Sequence, residues 1–333
     1  MSQETVLSGI RATGRLHFGN FMGAVRHFAN LQKPGNHCLY FIADWHTLTT
    51  PGDPKAMEWN VIDIAKDYLA AGLSPANSSL YRQSSIPELA ELCLYLSMSQ
   101  PYGELMRIPT FKEKARKHPD NLTLGLISYP VLMAADILGP QATLVPVGED
   151  QVPNVELARN LAERFNDRYG KTFIVPRMLE DMVKVPGLDG DKMGKSDADN
   201  AIDINAAPGE VRQRYRAKGV TDTQKVRQGD PGDPYNRCKS VYPLHEILTP
   251  GEKDDRIIAN SCIKGSLGCA DCKNMLANRI NELLGPFQEK RRQLETQTGH
   301  VLEILQEGGR HARRIISQTT AEVREKMGIR VRY

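Results

Sequence analysis

The alternation of short apolar runs with helix-like segments in the first 170 residues most constrains how this chain folds. Four apolar runs have the length and the bounding residues of buried strands, at 5–9, 38–43, 79–81 and 144–148. The segments between and after them space apolar residues three and four apart, as helices do, at 20–31, 61–73, 89–98 and 152–165. Because strands that alternate with helices favour a parallel sheet, we expect an α/β fold with a Rossmann-type parallel-sheet catalytic core.

The pattern changes after residue 200, where strand-like runs mostly stop. Segments with helical spacing and charged faces follow instead, at 210–218, 254–263, 273–298 and 309–326. A turn-rich connector of Gly, Asp and Pro at 229–235 separates the first two of them. A chain of 333 residues has the length of about two domains. We therefore predict a catalytic domain over 1–200 and a C-terminal α-helical domain over 201–333.

Composition excludes several classes of protein but identifies no partner. Hydrophobic residues make up 40% and charged residues 25% of the chain, which is ordinary globular usage. No apolar run reaches the roughly 18 residues of a membrane helix, and the N-terminus lacks the pattern of a signal peptide. We therefore expect a cytoplasmic protein with no membrane contact. The net charge is +3, and the segment 201–333 holds 23 Lys and Arg against 17 Asp and Glu, a weak attraction for polyanions.

A glycine-containing loop at 13–20 (TGRLHFGN) lies between the first strand-like run and the first helix. Glycine lets the backbone approach a ligand closely, and a helix N-terminus offers N–H groups and a positive dipole end to phosphate. His17 is placed to donate to phosphate oxygens. The alternative is that Gly19 and Asn20 only cap the helix and that His17 is solvated. The spacing is neither that of a dinucleotide-binding GxGxxG motif nor that of a P-loop.

A second loop, 192–196 (KMGKS), carries two lysines three residues apart. Lys192 and Lys195 are suited to clamp a polyphosphate that gains negative charge as it leaves. The letters Gly-Lys-Ser also occur in a P-loop, but that motif needs glycine at a position where this chain has Asp189. The alternative is a solvated surface loop.

Two acidic segments are candidates for binding a ligand. Asp136 lies in the apolar segment 129–138, where a carboxylate is costly to bury unless it is hydrogen-bonded or paired. It is either a specificity acceptor at the floor of a pocket or a residue of a helix terminus or an exposed helix face. Residues 148–151 (GEDQ) follow a strand-like run, where open α/β sheets bind ligands, unless they only cap the next helix.

Four of the six cysteines fall within 35 residues, at Cys238, Cys262, Cys269 and Cys272. Four thiolates hold zinc or a [4Fe-4S] cluster. The spacing indicates a metal centre without choosing the metal, and zinc is the commoner outcome. Disulfides are disfavoured without a secretory context, and four unrelated thiols remain the other alternative. The remaining two cysteines are expected in the core.

Taken in order along the chain, these segments resemble the tryptophanyl-tRNA synthetases, which are class I aminoacyl-tRNA synthetases. HFGN at 17–20 is similar to the family's HIGH-type signature, and KMGKS at 192–196 is similar to its KMSKS loop. Four further segments are similar to the family's own: ADWHTLTT at 43–50, GELMRIPTFKEK at 103–114, YPVLMAADIL at 129–138 and VPVGEDQ at 145–151. A tyrosyl-tRNA synthetase shares the fold and both signatures, and we expect it to differ around 134–136 and 148–149.

The resemblance implies a two-step reaction and its residues. L-Tryptophan is activated with ATP and Mg²⁺ to tryptophanyl-adenylate and pyrophosphate, and is then joined to the 3′ end of tRNA(Trp). The implied catalytic residues, which contact phosphates, are His17, Lys192 and Lys195. The implied ATP-binding residues are Arg11, Ala12, Thr13, Gly19, Asn20, Gly148, Glu149, Asp150, Val183, Lys192, Met193, Gly194, Lys195 and Ser196, with Lys112 and Lys114 as secondary phosphate contacts. The implied tryptophan-binding residues are Asp136, which accepts the indole N–H, Gln151, Tyr129, Met133 and His46.

The resemblance also implies a tRNA-binding domain, an oligomeric state and a cofactor. The segment 201–333 is expected to bind the tRNA anticodon, and the protein is expected to be a homodimer. The cysteine set Cys238, Cys262, Cys269 and Cys272 resembles the [4Fe-4S] motif of a subset of bacterial tryptophanyl enzymes, which favours iron–sulfur over zinc.

Two positions depart from the family signatures. Gly194 replaces the usual serine of KMSKS, which removes a hydroxyl donor and loosens the loop. Asn20 replaces the last histidine of the HIGH signature. Both lysines remain, so activity is expected. The rival interpretations are a tyrosyl-type synthetase, a small-molecule nucleotidyltransferase and a non-catalytic nucleic-acid-binding paralogue, which Gly194 alone favours.

Overall fold

The computed structural model describes residues 3–50, 52–117, 122–179, 183–194, 199–227, 229–249 and 253–329, apart from the side chains of 113–114 and 253–255. Within these residues, five parallel strands form one sheet. They are β1 (Thr5–Arg11), β2 (His37–Ala43), β3 (Ser78–Arg82), β4 (Leu144–Pro146) and β5 (Arg177–Leu179). The predicted α/β fold with a parallel sheet is confirmed, and four of these strands lie where the sequence predicts them.

The strand order across the sheet is β3-β2-β1-β4-β5, so the direction of strand addition reverses at β1. Val6 of β1 pairs with Cys38 of β2 on one side and with Leu144 of β4 on the other. In open parallel sheets, ligands bind beyond the carboxyl ends of the strands at such a reversal. The chain leaves these ends of β1 and β4 through residues 11–13 and 148–151, which are two of the predicted binding segments.

Helices make up most of the other regular structure in the described residues. Their bounds are α1 (Phe18–Asn20), α2 (Arg26–Leu31), α3 (Asp44–Thr47), α4 (Ala56–Ala70), α5 (Glu88–Ser97), α6 (Tyr102–Leu105), α7 (Pro109–Lys117), α8 (Leu124–Leu138), α9 (Val152–Tyr169), α10 (Pro208–Lys218), α11 (Val241–Leu248), α12 (Lys253–Ile263), α13 (Cys269–Glu295) and α14 (Thr298–Lys326). A π-helical turn, Phe21–Val25, joins α1 to α2. Every helix predicted from periodicity is present, although several extend beyond the predicted limits.

The largest difference between the predicted and the observed limits of a helix concerns α14, which begins at Thr298 rather than at residue 309. Gly308 and Gly309 disfavour a helix by propensity, because glycine loses more conformational freedom than other residues. In the structure they let α14 approach β3 closely, since a Cβ atom on Gly308 would lie 2.0 Å from the carbonyl oxygen of Leu80. Packing against the sheet therefore overrides the local preference.

Internal contacts divide the chain into two compact units. Unit 1 comprises 1–13, 27–182 and 297–333 and contains the sheet, and unit 2 comprises 14–26 and 183–296. These limits differ from the predicted boundary at residue 200, because α14 packs on β3 and α5, and the loop at 14–26 belongs with the helices of unit 2. The functional roles predicted for 1–200 and 201–333 stay predictions.

Each unit has its own packing. In unit 1, α8 packs against α5 and α9 beneath a large apolar core. In unit 2, α10 and α11 pack on α13, and the ring of Phe21 meets that of Phe287 edge-on at 5.4 Å. Among the described helices, none combines the length and the apolar character that crossing a membrane requires.

Candidate active site

Asp136 on α8 is a buried carboxylate held by residues that follow two neighbouring strands. Its side chain is 2% exposed. His46, in the short helix after β2, brings its Nε2 atom to 2.8 Å from Oδ2 of Asp136. Gln83, directly after β3, donates from Nε2 to both carboxylate oxygens at 2.9 Å. Asp136 is therefore a buried carboxylate with hydrogen-bond donors and does not lie on an exposed helix face.

The same face of α8 carries two more of the predicted tryptophan-binding residues. Tyr129, Met133 and Asp136 are spaced four and three residues apart, which aligns them along one side of a helix. The hydroxyl of Tyr129 lies 2.7 Å from that of Thr110, and its ring meets the His46 ring edge-on with centroids 6.3 Å apart. Met133 is partly buried against the apolar core. The structure thus brings Asp136, His46 and Tyr129 together.

Electrostatics in this site are dominated by burial. Burial raises the pKa of Asp136 above its ordinary value, and the hydrogen bonds from His46 and Gln83 oppose that rise. Burial also raises the pKa of Tyr129, and the nearby Arg11 guanidinium opposes it. An ionised Asp136 is therefore supported by donors from the protein itself, rather than by water.

The turn after β4 contains the predicted segment 148–151. Gln151 accepts a hydrogen bond from Asn154 Nδ2 at 2.9 Å and donates to Asp150 Oδ2 at 2.9 Å. Asn154 is fully buried and also lies beside Tyr129, where it lowers the pKa of the phenol. Gln151 is thereby linked to Tyr129 through Asn154. Gly148 starts the turn, and Glu149 and Asp150 are exposed.

The last residue of β1 and the two residues after it are buried or half-buried at the reversal of the sheet. Arg11 donates to Thr50 Oγ1 at 3.3 Å, and burial lowers the pKa of its guanidinium. The backbone N–H of Ala12 donates to Thr47 Oγ1 at 2.8 Å. The buried hydroxyl of Thr13 has no hydrogen-bond partner among the described residues. A buried hydroxyl without a partner fits a position that a polar ligand completes.

In unit 2, the HFGN loop forms a tight helix start. The Nδ1 atom of His17 accepts from the Asn20 N–H at 3.2 Å, and Asn20 Oδ1 accepts from the His17 N–H at 3.3 Å. The capping interpretation is met in part, because Asn20 does cap the helix, but His17 is the N-cap residue and is buried rather than solvated. Because Nδ1 accepts, the ring proton of a neutral His17 sits on Nε2.

The second predicted loop packs against this helix start. The Gly19 N–H lies 3.1 Å from the sulfur of Met193, and a Cβ atom on Gly19 would lie 3.1 Å from the Met193 Cβ and 2.9 Å from His17 Nδ1. Glycine is therefore required where the two signature loops meet. The Met193 N–H donates to the Val185 carbonyl at 3.1 Å, which fixes the start of the loop.

The remaining predicted ATP and phosphate contacts have varied positions. Lys192 is exposed, Gly194 is half-buried and Val183 is 41% exposed. Lys112 is exposed on α7. Lys195, Ser196 and the side chain of Lys114 lie outside the described residues.

The four clustered cysteines line one small cavity in unit 2, which we call the cysteine cavity. Cys262 lies in α12, and Cys269 and Cys272 lie in the first turn of α13. Burial, together with the neighbouring cysteines, raises the pKa of Cys238 to about 11 and that of Cys272 to about 12. The Tyr242 N–H donates to the sulfur of Cys238 at 3.3 Å. A Cβ atom on Gly232 would lie 2.6 Å from the Cys262 sulfur, so glycine is needed at the cavity wall.

The thiols do not form a closed site for a single ion. Within the described residues, no group of three or more His, Cys, Asp or Glu side chains is placed to hold a metal ion. Four thiolates on one zinc ion would lie about 3.8 Å apart, since the Zn–S bond is about 2.3 Å long. A four-iron cluster holds its thiolates farther apart. Four thiols suit either centre, and the metal centre itself stays a prediction.

Comparison with known proteins identifies the family. The family model described as tRNA synthetases class I (W and Y) matches residues 2–285. The chain belongs to this family.

Individual synthetases of this family are similar over almost their whole length. The tryptophan–tRNA ligase of Thermotoga maritima is 39% identical, over 97% of this chain and 99% of the relative. That of Porphyromonas gingivalis is 41% identical, over 98% of this chain and 100% of the relative. The crystal structure of tryptophanyl-tRNA synthetase from Campylobacter jejuni complexed with ADP and tryptophan has a TM-score of 0.83 and 33% identity, and the match covers 97% of this chain and 99% of that one.

Three polar residues around Asp136, Tyr129 and Gln151 were not predicted from the sequence. Gln83, Thr110 and Asn154 contact Asp136, Tyr129 and Gln151 respectively. Gln83 and Thr110 lie 53 and 19 residues away from their partners, so no local spacing signals them. Asn154 is three residues after Gln151, and that helical spacing was the one available signal.

Proposed function

We propose that the chain is a tryptophan–tRNA ligase. It activates L-tryptophan with ATP to tryptophanyl-adenylate and pyrophosphate, and then transfers tryptophan to the 3′ end of tRNA(Trp). The observation that carries this proposal is the buried Asp136, held by His46 and Gln83 beside Tyr129. We call these four residues the Asp136 site. The high identity to tryptophan–tRNA ligases over nearly the whole chain supports the same conclusion.

The first step requires positioning and charge stabilisation rather than a general base. The tryptophan carboxylate, which is already ionised at neutral pH, attacks the α-phosphorus of ATP, and the bond to pyrophosphate breaks. Negative charge grows on the leaving pyrophosphate, so cationic donors and Mg²⁺ stabilise the transition state. In the second step, the hydroxyl of the terminal adenosine attacks the acyl carbon, and AMP leaves.

We propose that selectivity for tryptophan rests on Asp136. A carboxylate that accepts the indole N–H is left without that partner when phenylalanine binds. Sites of this kind reject an analogue lacking the donor by roughly 10⁴-fold. Met133 and His46 shape the pocket wall, and Tyr129 and Gln151 hold the ammonium group. The link from Gln151 through Asn154 to Tyr129 supports that pairing.

The roles proposed for the phosphate-binding residues follow the family signatures. His17 donates from Nε2 to phosphate, which its Nδ1 capping bond favours. Lys192 and Lys195 neutralise pyrophosphate. ATP is also bound by Arg11, Ala12, Thr13, Gly19, Asn20, Gly148, Glu149, Asp150, Val183, Met193, Gly194 and Ser196. The buried Thr13 hydroxyl supports its place in this set.

We propose that the cysteine cavity holds a [4Fe-4S] cluster, with zinc as the alternative. Burial raises the pKa of Cys238, Cys262 and Cys272 in this cavity, so these thiols need a cation to ionise, and iron–sulfur or zinc centres supply that charge. When bound, such a centre contributes folding free energy and fixes the geometry of its ligands. We assign it a structural role for α12 and α13.

We propose that tRNA(Trp) contacts unit 2 during protein synthesis in the cytoplasm. Arg237, Lys239 and Lys264 are exposed cations next in sequence to the cysteines, and they suit phosphates. Tyr235 is 60% exposed, and its ring offers a stacking face to an unpaired base.

We propose that the protein is a homodimer through an apolar surface of unit 1. Leu94 on α5, Met98 directly after it, Tyr102 on α6 and Leu124 at the start of α8 are each more than half exposed, and α8 contacts both α5 and α6. Exposed apolar residues on adjacent elements are typical of an interface. Light scattering should give twice the mass of the 333-residue chain, and Met98→Glu should give the monomer mass.

The test of the function is ATP–pyrophosphate exchange on the purified protein with tryptophan, tyrosine or phenylalanine. Exchange with tryptophan alone is expected. Exchange with tyrosine instead would keep the fold and overturn the assignment of the pocket. Exchange with no amino acid would favour the non-catalytic paralogue.

A further inference from the structure

Gln83 bridges the backbone after β2 to the carboxylate of Asp136. It is fully buried in the short turn Gln83–Ser85 after β3. Its Oε1 accepts from the N–H groups of Trp45 and His46 at 3.1 and 3.4 Å. Its Nε2 donates to Oδ1 and Oδ2 of Asp136. One side chain thereby satisfies four hydrogen-bonding groups.

This arrangement fixes which way the amide of Gln83 points. A flipped amide would set its NH₂ group against the two backbone N–H groups, and its oxygen against a carboxylate. Both contacts would be repulsive, and all the groups are buried, where unpaired polar atoms are costly. The N–H donors of Gln83 therefore always face Asp136.

A second set of hydrogen bonds fixes the turn that carries Gln83. Asp44 accepts from the Ser84 N–H at 3.0 Å and from Arg82 Nε at 2.5 Å. Arg82 is also paired with Glu58. The ends of β2 and β3 are thus joined on both sides of Gln83, so its position does not depend on a bound ligand.

The hydrogen bonds to Asp136 differ between its two oxygens. Oδ2 receives His46 Nε2 and Gln83 Nε2, whereas Oδ1 receives Gln83 alone among the described residues. A carboxylate oxygen accepts about two hydrogen bonds in its plane. Oδ1 therefore retains the capacity for one more donor, and Oδ2 does not.

We propose that Gln83 is a positioning residue for tryptophan selection, which holds the Asp136 carboxylate in place and directs Oδ1 to the indole N–H. This inference rests on the proposed function. Gln83 does not touch the reacting atoms and acts through Asp136. Charge-assisted hydrogen bonds from Gln83 also oppose the rise in the pKa of Asp136 that burial causes. The other titratable or charged groups that affect or meet this carboxylate are His46, Asp44, Tyr81 and Cys93.

The experiment compares tryptophan with 3-(benzothiophen-3-yl)alanine, in which sulfur replaces the indole N–H. Gln83→Met removes both donors at similar size. It should lower kcat/KM for tryptophan by about 10- to 100-fold, mainly through KM, because a charge-assisted hydrogen bond is lost. The KM for ATP should change by less than about twofold, and kcat/KM for the analogue should fall much less than that for tryptophan.

The matched control is Gln32→Met in the same unit. Gln32 also bridges backbone groups with its amide, since it accepts from the Ser74 N–H at 2.7 Å and donates to the Gly72 carbonyl at 3.1 Å. Its loss should not change the preference for tryptophan over the analogue. Equal losses for both substrates in Gln83→Met would show that Gln83 only packs the core, and no loss for either would show that it is dispensable. Both results would overturn the proposal.

Gln83→Glu keeps the size of the side chain and tests the same idea if Gln83→Met does not fold. When two carboxyl groups lie this close, like-charge repulsion raises the pKa of one of them. The acid limb of kcat/KM for tryptophan should therefore move to higher pH than in the wild type, and the preference over the analogue should shrink. An unchanged profile and preference would overturn the proposal. Failure of the wild type to activate tryptophan would instead contradict the proposed function.

Discussion

The Asp136 site of unit 1 and the cysteine cavity of unit 2 both bury ionisable side chains, but they compensate that burial differently. In the first, His46 and Gln83 donate hydrogen bonds directly to the carboxylate. In the second, burial is the main cause that raises the pKa, to about 11 for Cys238 and about 12 for Cys272, and the neighbouring thiols add to it. Hydrogen-bond donors of the protein partly offset the burial of Asp136, whereas burial and neighbouring thiols both oppose the ionisation of Cys238 and Cys272.

The difference separates a preorganised site from one that needs a cofactor. Hydrogen bonds fixed before the substrate arrives need no rearrangement when it binds, which suits selection of an amino acid. A cluster of thiols with raised pKa becomes stable as thiolates only when a cation enters, which suits a structural metal centre.

Removing the carboxylate should have the largest effect. Asp136→Ala should lower kcat/KM for tryptophan by about 10³-fold or more, because the donors of His46 and Gln83 and the indole N–H all lose their acceptor. ATP–pyrophosphate exchange over a range of tryptophan and ATP concentrations measures it. The KM for ATP should stay close to that of the wild type. An equally large rise in the KM for ATP would point to misfolding, and the result would then say nothing about Asp136 itself.

Removing one thiol should destabilise unit 2 and leave the Asp136 site intact. Cys272→Ser should abolish the binding of iron and sulfide, and should lower the melting temperature by about 10 °C, because a structural metal centre contributes several kcal/mol. Cys93→Ser is the matched control, since Cys93 lies in unit 1. Metal analysis and thermal unfolding of both variants provide the measurement. If the wild-type protein melted at the same temperature with and without metal, the cysteine cavity would not depend on a metal centre for its stability. Zinc without iron in the purified protein would select zinc over the [4Fe-4S] cluster.

The pH dependence of tryptophan use should show the smallest effect. The ionised carboxylate of Asp136 is a stronger acceptor for the indole N–H than the protonated acid, and burial raises its pKa. As the pH falls through that pKa, kcat/KM for tryptophan should decline about tenfold per pH unit. The analogue with sulfur in place of the N–H should show no matching decline. Identical profiles for the two substrates would mean that Asp136 does not read the indole N–H.

The elements of the fold that depend on local pattern were predictable from the sequence. The apolar runs of β1 to β4 and the helical spacing of the long helices follow from periods of two and 3.6 residues. The strand β5 was missed, because it has three residues, of which Arg177 is exposed. The start of α14 was missed because Gly308 and Gly309 serve close packing against β3, which no local preference reveals.

Residues of the candidate site were predictable only where the residue type itself is unusual for its place in the sequence. A carboxylate in an apolar segment identified Asp136, and the spacing of four cysteines identified the members of the cysteine cavity. Gln83 was not predictable, because its importance arises from β3 lying beside β2 and from contacts to residues 37 to 53 positions away. Such contacts depend on the register of the sheet, which becomes known only in the folded structure.

The most direct test of the account is transfer of labelled tryptophan to a tRNA(Trp) transcript by the purified protein. The account predicts ATP-dependent formation of tryptophanyl-tRNA that fails with tyrosine and falls about 10³-fold or more in kcat/KM for Asp136→Ala. Binding of the transcript without any charging by tryptophan would contradict it.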